Sequence, residues 1–213
     1  MIDGVPSHSL LGFALTSAII EVTPGPNMAY LAALSLAQGR RAGFAAVAGI
    51  ALGLSAYGIA VGFGLGTVIS NSVLLYESLR WAGVLYLFWL AWDAWKAERD
   101  GAAAAAPPVA VTPSAAFRRG LITNLLNPKA AMFFIAVLPE FVRIDRGDVG
   151  IQTLMLSAIY VAIATLIHLA LVVLASHLQA RIGTPDRRRT IRRALAIMLA
   201  GIAVWFALST GRD

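Results

Sequence analysis

Two proline-broken asparagine motifs interrupt otherwise apolar segments: Thr23-Pro24-Gly25-Pro26-Asn27 and Asn124-Leu125-Leu126-Asn127-Pro128-Lys129. A helix in hydrocarbon has no water to satisfy a broken backbone, and each unpaired N–H or C=O there costs several kcal/mol. Such breaks are tolerated only where they face protein or a wet cavity. Two of them, about a hundred residues apart and early in each half, point to a duplicated fold with a binding site between the breaks.

The surrounding composition requires a membrane. The chain is 59% hydrophobic and 13% charged, against about 25% charged for a soluble domain. Six apolar stretches approach the twenty or so residues needed to cross a bilayer. They cover residues 9–36, 42–69, 79–95, 117–142, 150–178 and 191–209. The net charge of +6 does not signal a nucleic-acid partner, because the arginines sit in short loops between apolar runs. Cysteine is absent, which excludes disulfides, thiol redox chemistry and thiolate metal sites. No cofactor and no metal are expected. The start Met1-Ile2-Asp3-Gly4 lacks the basic region of a cleavable signal peptide, so the first apolar run is expected to be retained.

Residues 97–116, with five consecutive alanines and then Pro107, Pro108 and Pro113, read as a flexible linker. They divide one transmembrane domain, residues 1–213, into repeats 1–96 and 117–213. Each repeat holds three helices, so the halves have opposite orientation. The expected fold is an all-α polytopic membrane protein: a 3+3 inverted repeat whose first and fourth helices are broken. Twelve Lys and Arg residues fall on one side and four on the other. The rich side is expected to be cytoplasmic, with both termini outside. Gly49/Gly53 and Gly58/Gly62 in the second span allow close helix approach, and that face could serve a homodimer. The tryptophans near span ends read as interfacial anchors.

At the second break, Asn127 caps a half-helix that begins with Pro128. At the first, Pro26 starts one with Gly25 or Thr23 as cap. Two helix N-termini meeting in mid-membrane would cradle a carboxylate, and freed carbonyls would accept from an ammonium. A zwitterion such as an amino acid suits both. Glu21 and Lys129 are the ionisable groups nearest the breaks and are candidates for function. They could pair across the halves, Glu21 taking the substrate ammonium or a coupling proton and Lys129 the substrate carboxylate. His168 is a second candidate proton carrier or a hydrogen-bonding link between helices. Asp93 is expected to be solvated or paired with Lys96. Two other classes remain open: an intramembrane serine hydrolase using Ser55 and His168, and a metal-ion exporter using Glu21, Asp93 and His168.

Thr23-Pro24-Gly25-Pro26-Asn27, followed by Gln38-Gly39-Arg40-Arg41-Ala42-Gly43 and Gly49-Ile50-Ala51-Leu52-Gly53, resembles the LysE/RhtB family of bacterial amino-acid exporters. The stretch from Phe117 through Thr123, Asn124, Asn127, Pro128 and Lys129 to Ala130 resembles the fourth-helix signature of the same family. The resemblance implies a multi-pass protein of the bacterial inner membrane. It implies export of amino acids or their derivatives by proton antiport. The family positions carried over are Pro24, Gly25, Pro26, Asn27, Asn124, Asn127, Pro128 and Lys129. Many relatives have an apolar residue where this chain has Glu21.

Overall fold

The structure, a computed structural model, describes residues 7–64, 73–103, 111–145, 147–181 and 185–209. These residues form eight α-helices and no strand. Helix α1 is Ser7–Val22, α2 is Pro26–Gln38 and α3 is Arg40–Gly62. Helix α4 is Val73–Ala103, α5 is Pro113–Leu125 and α6 is the five-residue turn Pro128–Met132. A π-helical turn, Phe133–Val137, and a 3₁₀ turn, Leu138–Phe141, continue α6. Helices α7, Val149–Arg181, and α8, Pro185–Ser209, complete the bundle.

Local chemistry sets the ends. Pro26 and Pro113 occupy first helical positions, where a missing N–H costs nothing. Thr112 caps α5 by accepting from the Ala115 N–H at 3.3 Å. Gly39 joins α2 to α3 at φ +79°, a conformation that a side chain would strain.

Helices α3 and α7 are long and apolar enough to cross a membrane. Helices α5 and α6 with their continuation make a third candidate, bent by 50° at the break. The first expected span, residues 9–36, is two separate helices, neither of which reaches about 30 Å at 1.5 Å per residue. The expected linker is corrected in part. Residues 97–103 extend α4 and residues 113–116 open α5, because alanine continues a helix as readily as it fills a linker. Residues 104–110, including Pro107 and Pro108, lie outside the described residues.

The glycines of α3 bring three helices together. A Cβ on Gly49 would strike the Phe117 carbonyl, and one on Gly120 would strike the Ala46 carbonyl. These reciprocal gaps let α3 and α5 cross backbone to backbone. Gly53 accommodates Asn124, Gly58 accommodates Ser157 and Gly62 accommodates Leu154. The face expected to serve a homodimer is therefore occupied within the chain. Beneath it, Phe13, Phe133, Phe134, Tyr57 and Tyr160 form an aromatic core, in which the Phe133 and Tyr160 rings stack with centroids 3.6 Å apart.

Gly49→Ala and Gly120→Ala should each cost about 1–3 kcal/mol by overpacking. Gly201→Ala, where no atom stands within 4 Å of the added carbon, should be neutral or slightly stabilising. Thermal unfolding of the detergent-solubilised protein, followed by tryptophan fluorescence, checks all three.

Candidate functional site

The two breaks meet. Asn27, in the first turn of α2, donates from Nδ2 to Oδ1 of Asn124, near the end of α5, at 2.9 Å. Both side chains are buried. The residues are 97 apart in sequence, so this bond joins the two broken motifs directly.

The freed backbone groups find partners around that bond. Lys129 reaches from the second break to the first and donates from Nζ to the Thr23 carbonyl at 2.6 Å. Tyr57 of α3 donates its hydroxyl to the Leu125 carbonyl at 2.7 Å. The Asn127 side chain caps α6 by accepting from the Lys129 N–H at 3.0 Å. The α2 N-terminus is different: Gly25 is extended there and no side chain caps the helix. Its first N–H groups have no partner within α2. The anticipated pair of anion-facing helix ends is thus reduced to one open end, because Asn127 fills the other.

A second buried group lies beside this crossing. Tyr160 donates to Glu21 Oε2 at 2.8 Å. His168 Nε2 lies 2.8 Å from Glu21 Oε1. Tyr160, Ala164 and His168 recur at four-residue spacing on α7, so one helical face carries both partners. Glu21, Gly25, Asn27, Met28, Asn127, Lys129, Ala130 and Tyr160 line one cavity. Its volume is about 10 Å³, close to the space one water needs.

The expected residues divide accordingly. Glu21, Gly25, Asn27, Asn127 and Lys129 line the cavity, with Asn124 behind Asn27 and His168 behind Glu21. Pro26 and Pro128 are buried as helix starters. Thr23 and Pro24 are exposed; Thr23 contributes its carbonyl, and its hydroxyl turns back to the Ile19 carbonyl at 2.9 Å. The expected Glu21–Lys129 pairing is corrected. Glu21 takes His168 and Tyr160, and Lys129 takes the Thr23 carbonyl. Asp93 is corrected in part: its carboxylate stays 40% exposed, but its partner is Arg119 of α5 at 2.7 Å, not Lys96. The metal trio is therefore not assembled, and among the described residues no three His, Cys, Asp or Glu side chains form a cation site. Ser55 donates to the Ala51 carbonyl of its own helix at 2.8 Å and is not paired with His168.

Sequence reasoning missed Tyr57, Tyr160 and Met28. For Tyr160 a signal existed: it lies two helical turns before His168, on the same face. Tyr57 carried no local signal, since its partner is the main chain of another helix.

Fold and site together define a helical membrane protein that holds a small polar compartment where two interrupted helices cross. Residues 18–210 match the family described as LysE type translocator. The chain is 31% identical over 193 residues to the homoserine/homoserine lactone efflux protein of Salmonella typhimurium, covering 89% of this chain and 92% of that one. It is 25% identical over 197 residues to the leucine efflux protein of Salmonella choleraesuis, covering 92% of each. It is 26% identical over 210 residues to the membrane protein YrhP of Bacillus subtilis, covering 95% of this chain and 100% of that one. No solved structure matches it. The chain belongs to the LysE type translocators and is a multi-pass protein of the bacterial inner membrane.

Asn27→Ala and Asn124→Ala should be coupled by about 1 kcal/mol in a double-mutant cycle on thermal stability. Tyr57→Phe should cost about 0.5–1.5 kcal/mol, because it removes the part-buried hydrogen bond to the Leu125 carbonyl.

Proposed function

We propose that this protein exports amino acids, or close derivatives that keep the ammonium group, from the cytoplasm. One observation carries the reading: a carboxylate and an ammonium, Glu21 and Lys129, line one cavity at the crossing of the two breaks. A zwitterion is the complementary solute. Its ammonium is received by Glu21 and the Thr23 carbonyl. Its carboxylate is received by Lys129 and the uncapped N-terminus of α2. Relatives named for homoserine and leucine efflux make those two amino acids the first to test.

The cavity is far smaller than any amino acid. This conformation is a closed one, and loading requires the helices around the breaks to separate. The proposed architecture has six spans, with α1 and α2 counted as one broken span and α5 with its continuation as another. Helices α1 to α4 then form one half and α5 to α8 the other, inverted half. Alternating access is a rocking of the two halves about the fixed site. The arginine-rich ends of α3 and α5 mark the cytoplasmic side, and both termini lie outside.

Coupling runs through Glu21, His168 and Tyr160. A proton held between the Glu21 carboxylate and the His168 imidazole neutralises the site when the substrate ammonium leaves. Proton antiport needs one such exchangeable group, and this cluster is buried beside the substrate cavity.

The test is efflux from proteoliposomes loaded with a panel of amino acids that includes L-homoserine and L-leucine. Wild-type protein should release at least one of them faster when the outside is acidic. Glu21→Gln should remove the response to the pH gradient while the protein remains folded. Lys129→Met should raise the half-saturating substrate concentration about tenfold or more, as expected for a lost charged hydrogen bond. Wild-type vesicles that release no amino acid would overturn the reading.

A further inference from the structure

A second polar cluster lies about one helical turn from the Asn27–Asn124 bond, toward the arginine-rich end of the bundle. Arg119 of α5 donates from a guanidinium nitrogen to the Asp93 carboxylate of α4 at 2.7 Å. The same guanidinium stands 5.3 Å from the centre of the Trp89 ring, and Trp89 stacks on Tyr86 at 5.4 Å. Tyr30 of α2 lies one turn after Asn27, next to Ala29, which shares a buried cluster with Ala91 of α4. Tyr30 is 96% buried, given its 4% exposure, and its hydroxyl has no hydrogen-bond partner. A buried hydroxyl left without a partner is costly, so a free donor held at this depth needs a reason.

The seam between α4 and α5 supplies one. At its deep end Gly83 lies directly against the Leu126 carbonyl, with the Pro128 ring next to it. At its other end the Asp93–Arg119 pair is the bridge, and both side chains there keep partial exposure, 40% and 29%. A partly exposed ion pair contributes little net stability, so exchanging its carboxylate for another costs little. The seam therefore runs from a partly exposed ion pair to the second break itself, and α2, which carries Tyr30, packs alongside α5.

We propose that Arg119 is a loading subsite for the carboxylate of the incoming substrate, with Asp93 as the resident carboxylate that the substrate displaces. The guanidinium fork takes a carboxylate in two parallel bonds, and the Tyr30 hydroxyl is a further free donor on α2 between there and Asn27. The substrate then passes along α2, one turn deeper, to Asn27 and the cavity. Displacing Asp93 also releases α4 from α5, so arrival of a carboxylate opens the seam it must enter. This assignment rests on the export reading and adds an entry step to it. It predicts discrimination by the substrate carboxylate at a residue outside the cavity.

The experiment measures concentration-dependent export of L-homoserine, L-leucine and their carboxamides, which keep the ammonium but lack the carboxylate. Full-length wild-type, Arg119→Gln, Arg119→Lys, Asp93→Asn and Tyr30→Phe proteins are compared in proteoliposomes, with thermal midpoints recorded. Arg119→Gln should raise the half-saturating concentration of the acids about tenfold and leave the carboxamides unchanged. Arg119→Lys should restore part of the loss. Asp93→Asn, which removes the competitor, should lower the half-saturating concentration of the acids. Tyr30→Phe, which keeps the packing, should raise it a few-fold and serves as the decisive variant if Arg119→Gln does not fold. Equal effects on acids and carboxamides would reduce the ion pair to a structural clasp and overturn the subsite. Wild-type protein that moves neither acid would overturn the export reading, and the subsite with it.

Discussion

The bond between Lys129 and the Thr23 carbonyl is the contact on which the centre of this molecule depends. A helix interrupted in hydrocarbon leaves carbonyls and N–H groups that lipid cannot satisfy. Here the first break is satisfied by a side chain from the second. The Asn27–Asn124 bond ties the same two segments one turn away, and Tyr57 supplies the donor for Leu125. None of these partners is local. The first break depends on the second, and the second is held by the first and by α3 together, which makes the crossing a structural necessity before it is a binding site.

That necessity explains the glycine distribution. For the breaks to touch, α3 and α5 must approach backbone to backbone, and Gly49 and Gly120 clear the way. Gly53 leaves room for Asn124, and Gly83 lets α4 lie against the Leu126 carbonyl. In lipid, close packing rather than apolar burial drives helix association. The glycines therefore set the distance at which Asn27, Asn124 and Lys129 can reach their partners. The aromatic core around Phe133 and Tyr160 presses α7 against the same point and delivers Tyr160 and His168 to Glu21.

Much of this was legible before any coordinates. The half-helix starts at Pro26 and Pro128 were readable because proline and its cap act within a few residues. Asn27, Asn124, Asn127 and Lys129 were readable because polar groups in apolar runs are costly and need a reason. The pairing of those groups was not. Glu21 and Lys129 are opposite charges near the two breaks, and simple charge matching joins them; the fold gives each a different partner. Asp93, expected to be solvated or paired with Lys96 on its own helix, keeps partial exposure but takes Arg119 of α5 as its partner. The alanine-rich stretch read as linker because of its prolines, although its first residues continue α4. Local composition cannot decide whether alanines extend a helix or leave it.

The amino-acid sequence by itself determined an all-helical membrane chain, two interruptions and the residues that flank them. It could do so because hydropathy, proline geometry and capping are properties of neighbours along the chain. The tertiary structure alone decided that the interruptions meet, that Lys129 serves the Thr23 carbonyl, and that Glu21 faces His168 and Tyr160. It also decided that, of the two half-helix starts at the breaks, the one at Pro128 is capped by a side chain and the one at Pro26 is not. Those outcomes depend on helix crossings set by glycine contacts between distant segments, and separation along the sequence carries no measure of such distances.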